Sequence, residues 1–171
     1  MQVTYKTSQM HLEDMPLDVG YASERVIVKD SVGNEHTLGG QNGKTQLIIT
    51  APSFNKKLVD ELKEINELLP HGGEYEVTAN LVVANDLHEN PNLEKFNFFI
   101  DSDDEFADFY GVRLNGYPYD SEFTKALILI SKDGAIFYDE FTENIDDSFN
   151  TDTLLRKISA AQTCYTGKGC H

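Results

Sequence analysis

The chain has 171 residues, of which 40% are hydrophobic and 25% are charged, a composition typical of one globular domain. Acidic residues outnumber basic ones, 29 against 14, so the formal net charge is −15. Contacts with phosphate require clustered Lys and Arg. We therefore expect neither a nucleic-acid partner nor binding to an anionic membrane surface.

Three features of the sequence predict a cytoplasmic protein. Residues 1–6 contain no apolar segment of signal-peptide length. No stretch approaches the roughly 18 consecutive apolar residues of a membrane span. Cys164 and Cys170 are the chain's two cysteines, too few for a disulfide framework at this length, which fits a reducing compartment.

Strand and helix signals alternate along the chain. The strand signals predict a small N-terminal β-hairpin over 3–5 and 10–12 and a second hairpin over 25–29 and 35–38. They also predict a buried strand over 45–50, a long central strand over 75–84 and a second buried strand over 125–131. The strand over 125–131 forms a late hairpin with 135–141. Helices are predicted over 55–69, 104–110 and 151–161. Alternating strands and helices that end in a hairpin and a helix indicate an α/β protein with the thioredoxin arrangement.

The helix predicted over 55–69 has an apolar stripe formed by Leu58, Leu62, Ile65 and Leu69, with Val59 on the same side. Ser53 or Asn55 would cap its start. Pro70 and the two glycines that follow it mark its end.

Several segments, in order, resemble the thiol peroxidase branch of the peroxiredoxins. They are the opening strand at 3–6, Pro52-Ser53, residues 83–87, the Phe-x-x-x-Tyr-Gly-Val pattern at 106–112, and the hairpin at 126–134 with Tyr138. The resemblance implies a thioredoxin-like fold with a mixed central β-sheet, flanking helices and an N-terminal β-hairpin. It also implies an antioxidant redox domain over 1–162, a flexible tail over 163–171, no cofactor, and a homodimer formed through the loops around the active site.

The same resemblance identifies positions where this chain departs from the family. Peroxiredoxins carry Pro, then Thr or Ser four places on, then the peroxide-reducing Cys seven places on, and an Arg before a later buried strand. Here Pro52 is kept, while Lys56, Val59 and Lys125 hold the other three positions. The resolving Cys would fall within 87–95, where there is none. Since valine has no nucleophilic atom, we expect no peroxide chemistry at this site.

Lys56 has two interpretations. Its ammonium could bind a carboxylate or another small-molecule anion at the helix N-terminus, with Lys125 as a second cation. Alternatively, it is a solvated lysine on the first turn of a helix.

The C-terminal tail is the second candidate site. Cys164 and Cys170 could form a labile redox pair, because the small loop between them would stabilise the bond little. Together with His171 they could also bind Zn or Cu, although the spacing is wider than that of a zinc finger. The simplest interpretation is a disordered tail, in which His171 could belong to a purification tag.

Three hypotheses follow. The leading one is a peroxiredoxin-like protein that has lost its peroxide-reducing activity and acts as a binding or redox-regulatory module for a protein or small-molecule ligand. The second is a thiol-dependent peroxidase or thiol–disulfide oxidoreductase that uses Cys164 and Cys170. The third is a metal-binding tail.

Overall fold

The computed structural model describes residues 1–163, which form ten strands and three helices. The strands are β1 Gln2–Tyr5, β2 Ser8–Leu12, β3 Val26–Lys29, β4 Glu35–Leu38, β5 Thr45–Thr50, β6 Val77–Val83, β7 Phe96–Ile100, β8 Leu114–Asn115, β9 Ala126–Ile130 and β10 Ile136–Phe141. The helices are α1 Lys56–Leu68, α2 Glu105–Tyr110 and α3 Thr151–Thr163.

The larger sheet is mixed and has the order β10-β9-β5-β6-β7-β3-β4. Strands β5, β6 and β7 are parallel, whereas β9 runs antiparallel to β5. All six residues of β5 and all five of β9 are buried, as the apolar residues at the centre of β5 and throughout β9 predict. The thioredoxin-like α/β architecture predicted from the sequence is confirmed.

Alternate residues of the central strands belong to two separate hydrophobic cores, because successive side chains of a strand point to opposite faces. Leu47 and Leu81 pack under α1 and α3, together with Leu62 of α1. Ile48 and Val82 pack on the other face, in the core that α2 completes.

The N-terminal hairpin is also confirmed. Strands β1 and β2 pair antiparallel, and β8 extends them to a three-stranded sheet. Val3, Met10 and Leu114 form its small core, which Ile145 joins from the loop before α3.

Strand β7 and the short strand β8 are the elements that the sequence prediction missed. The aromatic side chains Phe96, Phe98 and Phe99 of β7 are buried against the sheet. At the other end of the chain, α3 extends two residues past its predicted end, to Thr163.

Within residues 1–163, no helix is both long and apolar enough to cross a membrane.

Candidate functional site

The candidate site lies where β5 leads into α1. Asn55 is the N-cap of α1, and its side-chain oxygen accepts a hydrogen bond from Leu58 N at 2.9 Å. Val59 is half-buried in the first turn, with its backbone N–H bonded to Asn55 O at 3.0 Å. A thiolate in this first turn would gain from the helix dipole, but the valine offers only methyl groups.

Lys56 lies in solvent. Its side chain is 89% exposed, and its Nζ is 2.7 Å from the Asp60 carboxylate one turn further along α1. Its hydrogen bond to Asp60 raises the pKa of Lys56 above the ordinary value. The structure therefore favours the solvated-lysine interpretation, because this ammonium already has a carboxylate partner.

Lys125, in contrast, is only 3% exposed. Its Nζ donates to Glu61 Oε2 at 2.8 Å and to the backbone carbonyl of Asp147, and it lies 4.8 Å from the centre of the Phe149 ring. The other Glu61 oxygen, Oε1, accepts a hydrogen bond from Phe149 N at 2.6 Å. Lys56 and Lys125 thus do not share one anion, since each has its own carboxylate partner.

The space at this site is nearly filled. The cavity bounded by Pro52, Ser53, Leu58, Lys125 and their neighbours measures about 10 Å³. That volume is at the lower limit for a single water molecule. A carboxylate ligand has no room beside Lys125 between these side chains as they stand.

Glu61 is the residue of this site that the sequence analysis missed. It lies on the flank of the apolar stripe of α1, three residues after Leu58 and next to Leu62. A helix presents residues three apart on one face, so a carboxylate at this position is directed towards the core. The sequence therefore carried a signal for a buried charge that needs a partner.

A second polar cluster lies beside the loop that precedes α1. His88 Nε2 is 2.7 Å from Glu122 Oε2, and Asn85 Nδ2 donates to Glu122 Oε1 at 2.7 Å. The Phe54 ring meets the His88 ring edge-on, with 6.2 Å between centres. These contacts tie the loop after β6 to the loop before β9 and to the loop before α1.

The acidic segment 101–105 caps α2. Asp101 is buried, and its two carboxylate oxygens accept hydrogen bonds from Phe106 N and Ala107 N, each at 2.9 Å. Burial raises the pKa of Asp101, while these two hydrogen bonds oppose the rise. The carboxylate thus satisfies the free N–H groups of a helix start.

Cys164, Cys170 and His171 lie outside the described residues. Among residues 1–163, no group of three or more His, Cys, Asp or Glu side chains is arranged to hold a metal ion.

Comparisons with known proteins agree with this architecture. The chain is 27% identical over 164 residues to a thiol peroxidase of Aquifex aeolicus (strain VF5), which covers 91% of this chain and 95% of that protein. The crystal structure of a peroxiredoxin-like protein from Aquifex aeolicus superposes with a TM-score of 0.81, at 22% identity, over 94% of this chain and 96% of the other. A thiol peroxidase from Chromobacterium violaceum superposes with a TM-score of 0.75, at 17% identity, over 94% and 97% of the two chains. No family model matches the chain.

The chain shares the thioredoxin-like fold of these two solved structures. In sequence, the chain is similar over nearly its whole length to a thiol peroxidase.

Proposed function

We propose that this protein has lost peroxide reduction at the usual peroxiredoxin site and acts as a non-catalytic binding or redox-regulatory module. The observation that carries the proposal is Val59 in the first turn of α1, where the resemblance expects the attacking cysteine. Reduction of a peroxide begins with attack of a thiolate on an O–O bond. Valine has no lone pair with which to make that bond.

The neighbouring residues support a loss that extends beyond one side chain. The cation of Lys125 is bonded to Glu61, so it is not available to stabilise a thiolate or to bind a peroxide oxygen. A lysine also lacks the planar fork with which an arginine donates two hydrogen bonds at once. The cavity of about 10 Å³ leaves space for at most one water-sized molecule.

A binding role would fall to the surface around this site. Leu87 lies in the loop that Asn85 and His88 tie to Glu122, and it is 84% exposed. An exposed leucine on an anchored loop suits a protein contact, and we propose that the protein forms a homodimer through this region. We place the protein in the cytoplasm.

The test is single-turnover, stopped-flow reduction of hydrogen peroxide and cumene hydroperoxide by the pre-reduced protein, with thiols counted before and after. We expect no peroxide loss beyond the rate of a small-molecule thiol at equal concentration. Rapid peroxide loss by the wild-type chain would refute a non-catalytic role. The matched control is a Cys164→Ser/Cys170→Ser variant, which contains no thiol.

A second candidate is a thiol peroxidase or thiol–disulfide oxidoreductase that works through the tail. It is favoured by the fact that Cys164 and Cys170 are the chain's only cysteines. Fast peroxide loss by the wild type, disappearance of both thiols, and no activity in the double serine variant would establish it. Zinc or copper bound in a one-to-one ratio and released on removal of 164–171 would instead indicate the metal-binding tail.

A further inference from the structure

A second and larger cavity lies on the face of the central sheet opposite to α1. Strands β3 and β7 pair at a single position, Lys29 with Ile100, and a cavity of about 530 Å³ lies between the β3–β4 hairpin and strands β6 and β7. Ile27 lines it from the hairpin and Phe99 from β7. The volume lies within the range of small-molecule binding sites, about 300–1,000 Å³.

The wall of this cavity contains an amide pair that is incompletely bonded. Asn80 and Asn97 stand opposite one another in the β6–β7 ladder, and Asn97 Nδ2 donates to Asn80 Oδ1 at 3.0 Å. Asn80 is 1% exposed, and its Nδ2 has no hydrogen-bond partner among the described residues. A buried donor without a partner destabilises the free protein, so an acceptor supplied by a ligand would recover that energy.

Asn97 completes the pair from the open side of the cavity. Its side chain is exposed, and its only hydrogen bond within the described residues is the one that it donates to Asn80. An exposed amide can turn about its side-chain bonds, and its oxygen remains free as an acceptor. The pair therefore offers a donor from Asn80 beside an acceptor from Asn97.

The remaining lining excludes an anionic ligand. Of the described residues around the cavity, none is Lys or Arg, and Glu35 adds a carboxylate. His36 is already paired with Asp30, at 2.8 Å. The chain as a whole carries a net charge of −15. A phosphate or carboxylate would thus meet no compensating cation here.

An aromatic surface lies beside the amide pair. The His36 ring packs against the Phe99 ring, with 4.7 Å between centres, and both rings line the cavity. Thr37 and Thr78 add hydroxyl groups. A flat ring can stack on such a surface, as a nucleobase stacks on an aromatic side chain.

We propose that this cavity binds a neutral nucleoside, with the base edge on the Asn80–Asn97 amide pair and the ring against His36. An asparagine-type donor and acceptor complement the N7 acceptor and N6 donor of adenine in the geometry by which asparagine reads this base. As Asn97 turns towards the opening, the base N7 accepts from Asn80 Nδ2 and the base amino group donates to Asn97 Oδ1. This binding is independent of the thiol chemistry discussed above.

The test is isothermal titration calorimetry of the full chain with adenosine, 7-deazaadenosine, AMP and glucose at the same concentration and salt. We expect adenosine to bind with one site per chain. We expect 7-deazaadenosine, which lacks the N7 acceptor, to bind about tenfold more weakly, as loss of one hydrogen bond to a buried group predicts. AMP should also bind more weakly than adenosine, because no Lys or Arg of the described lining could pair with its phosphate.

Variants locate the site. Asn80→Leu keeps the side-chain volume and removes the donor, so adenosine affinity should fall about tenfold or more. Gln9→Leu also replaces a side-chain amide by an apolar group, but on the separate β1–β2–β8 sheet, and it should leave the affinity for adenosine unchanged. Circular dichroism checks that Asn80→Leu is folded. If it is not, Asn97→Ala, at an exposed position, removes the acceptor and should weaken binding to a similar extent.

Four results would overturn the proposal. They are no heat with adenosine at millimolar concentration, AMP binding as tightly as adenosine, glucose binding in place of adenosine, and adenosine affinity unchanged in the folded Asn80 or Asn97 variant.

Discussion

Removing one partner of the buried Lys125–Glu61 ion pair should destabilise the fold severely. Lys125→Met replaces the ammonium by an apolar group of similar length that still packs against Phe149. The change leaves the Glu61 carboxylate, whose side chain is 10% exposed, with the backbone N–H of Phe149 and no cation.

The expected loss of stability follows from the distance between the two charges. At the observed 2.8 Å separation, Coulomb's law with an effective dielectric constant of about 20 gives a gross attraction of about 6 kcal/mol. Desolvation of both charges offsets much of that value, and breaking a buried pair typically costs about 3–5 kcal/mol. Lys125→Met/Glu61→Gln removes both charges and keeps an acceptor for Phe149 N. The double variant should therefore recover most of the loss, with a coupling energy of about 2–3 kcal/mol.

The assay is equilibrium unfolding in urea at pH 7 with a reductant present, followed by far-UV circular dichroism. Wild type, both single variants and the double variant form a double-mutant cycle, provided that the m-value is the same for all four. The matched control is the solvent-exposed pair, Lys56→Met/Asp60→Asn, which should cause no measurable change.

Two results would refute this reasoning. One is a Lys125→Met variant that unfolds at the same urea concentration as the exposed-pair control. The other is a double variant whose loss equals the sum of the two single losses.

Three further predictions concern other parts of the molecule. Gly39→Ala should destabilise the fold by about 2–4 kcal/mol, because Gly39 has a φ of +80° and a new Cβ would lie 2.2 Å from a backbone carbonyl oxygen. Gly33 has a φ of +92° but open space around it, so Gly33→Ala should lower the free energy of unfolding by less in the same urea assay. The hydrogen bond from His36 lowers the pKa of Asp30 to about 2, so NMR titration should find that pKa raised in His36→Ala. Because the folded pKa lies below the unfolded value, Asp30 should contribute stability above about pH 4 that is lost as the pH falls towards 2, and His36→Ala should reduce that loss. Leu87→Asp should convert a dimer to a monomer in sedimentation equilibrium, and a dimer unchanged by it would place the interface elsewhere.

The sequence predicted the elements whose signals are local. The apolar runs within β5 and β9 require cover on both faces, and the stripe from Leu58 to Ile65 requires a helix over a core. Each of these features is readable without knowledge of distant residues. The same holds for the turns at 30–34 and 133–134, which fix the strand partners of the β3–β4 and β9–β10 hairpins within a few residues.

Strand β7 was harder to predict because its signal depends on distant partners. Its sequence, Phe96-Asn97-Phe98-Phe99-Ile100, is short and interrupted by a polar residue, and the segment before it is rich in Asn and Pro. Its register with β6 decides which side chains are buried. The cavity on the α2 face was unpredictable for the same reason, since Gln46, Thr78, Asn80 and Asn97 meet only through the β5–β6–β7 ladder.

The candidate site was predictable in its chemistry but not in its contacts. The absence of a thiol at position 59 is visible in the sequence, whereas the pairing of Lys125 with Glu61 joins residues 64 positions apart. Under the proposed function, this ion pair makes the site differ from a peroxidase site at more positions than residue 59.

If the whole pocket, and not only residue 59, has lost peroxide chemistry, a cysteine restored at position 59 should not be activated. The most direct test is the rate at which Val59→Cys, in a Cys164→Ser/Cys170→Ser background, is oxidised by hydrogen peroxide in stopped flow. With Lys125 bonded to Glu61 and little free volume, we expect a rate within about tenfold of N-acetylcysteine at the same pH, the behaviour of a thiol without an activating environment. Oxidation faster by several orders of magnitude would show that the pocket still activates a thiol, and would contradict the account.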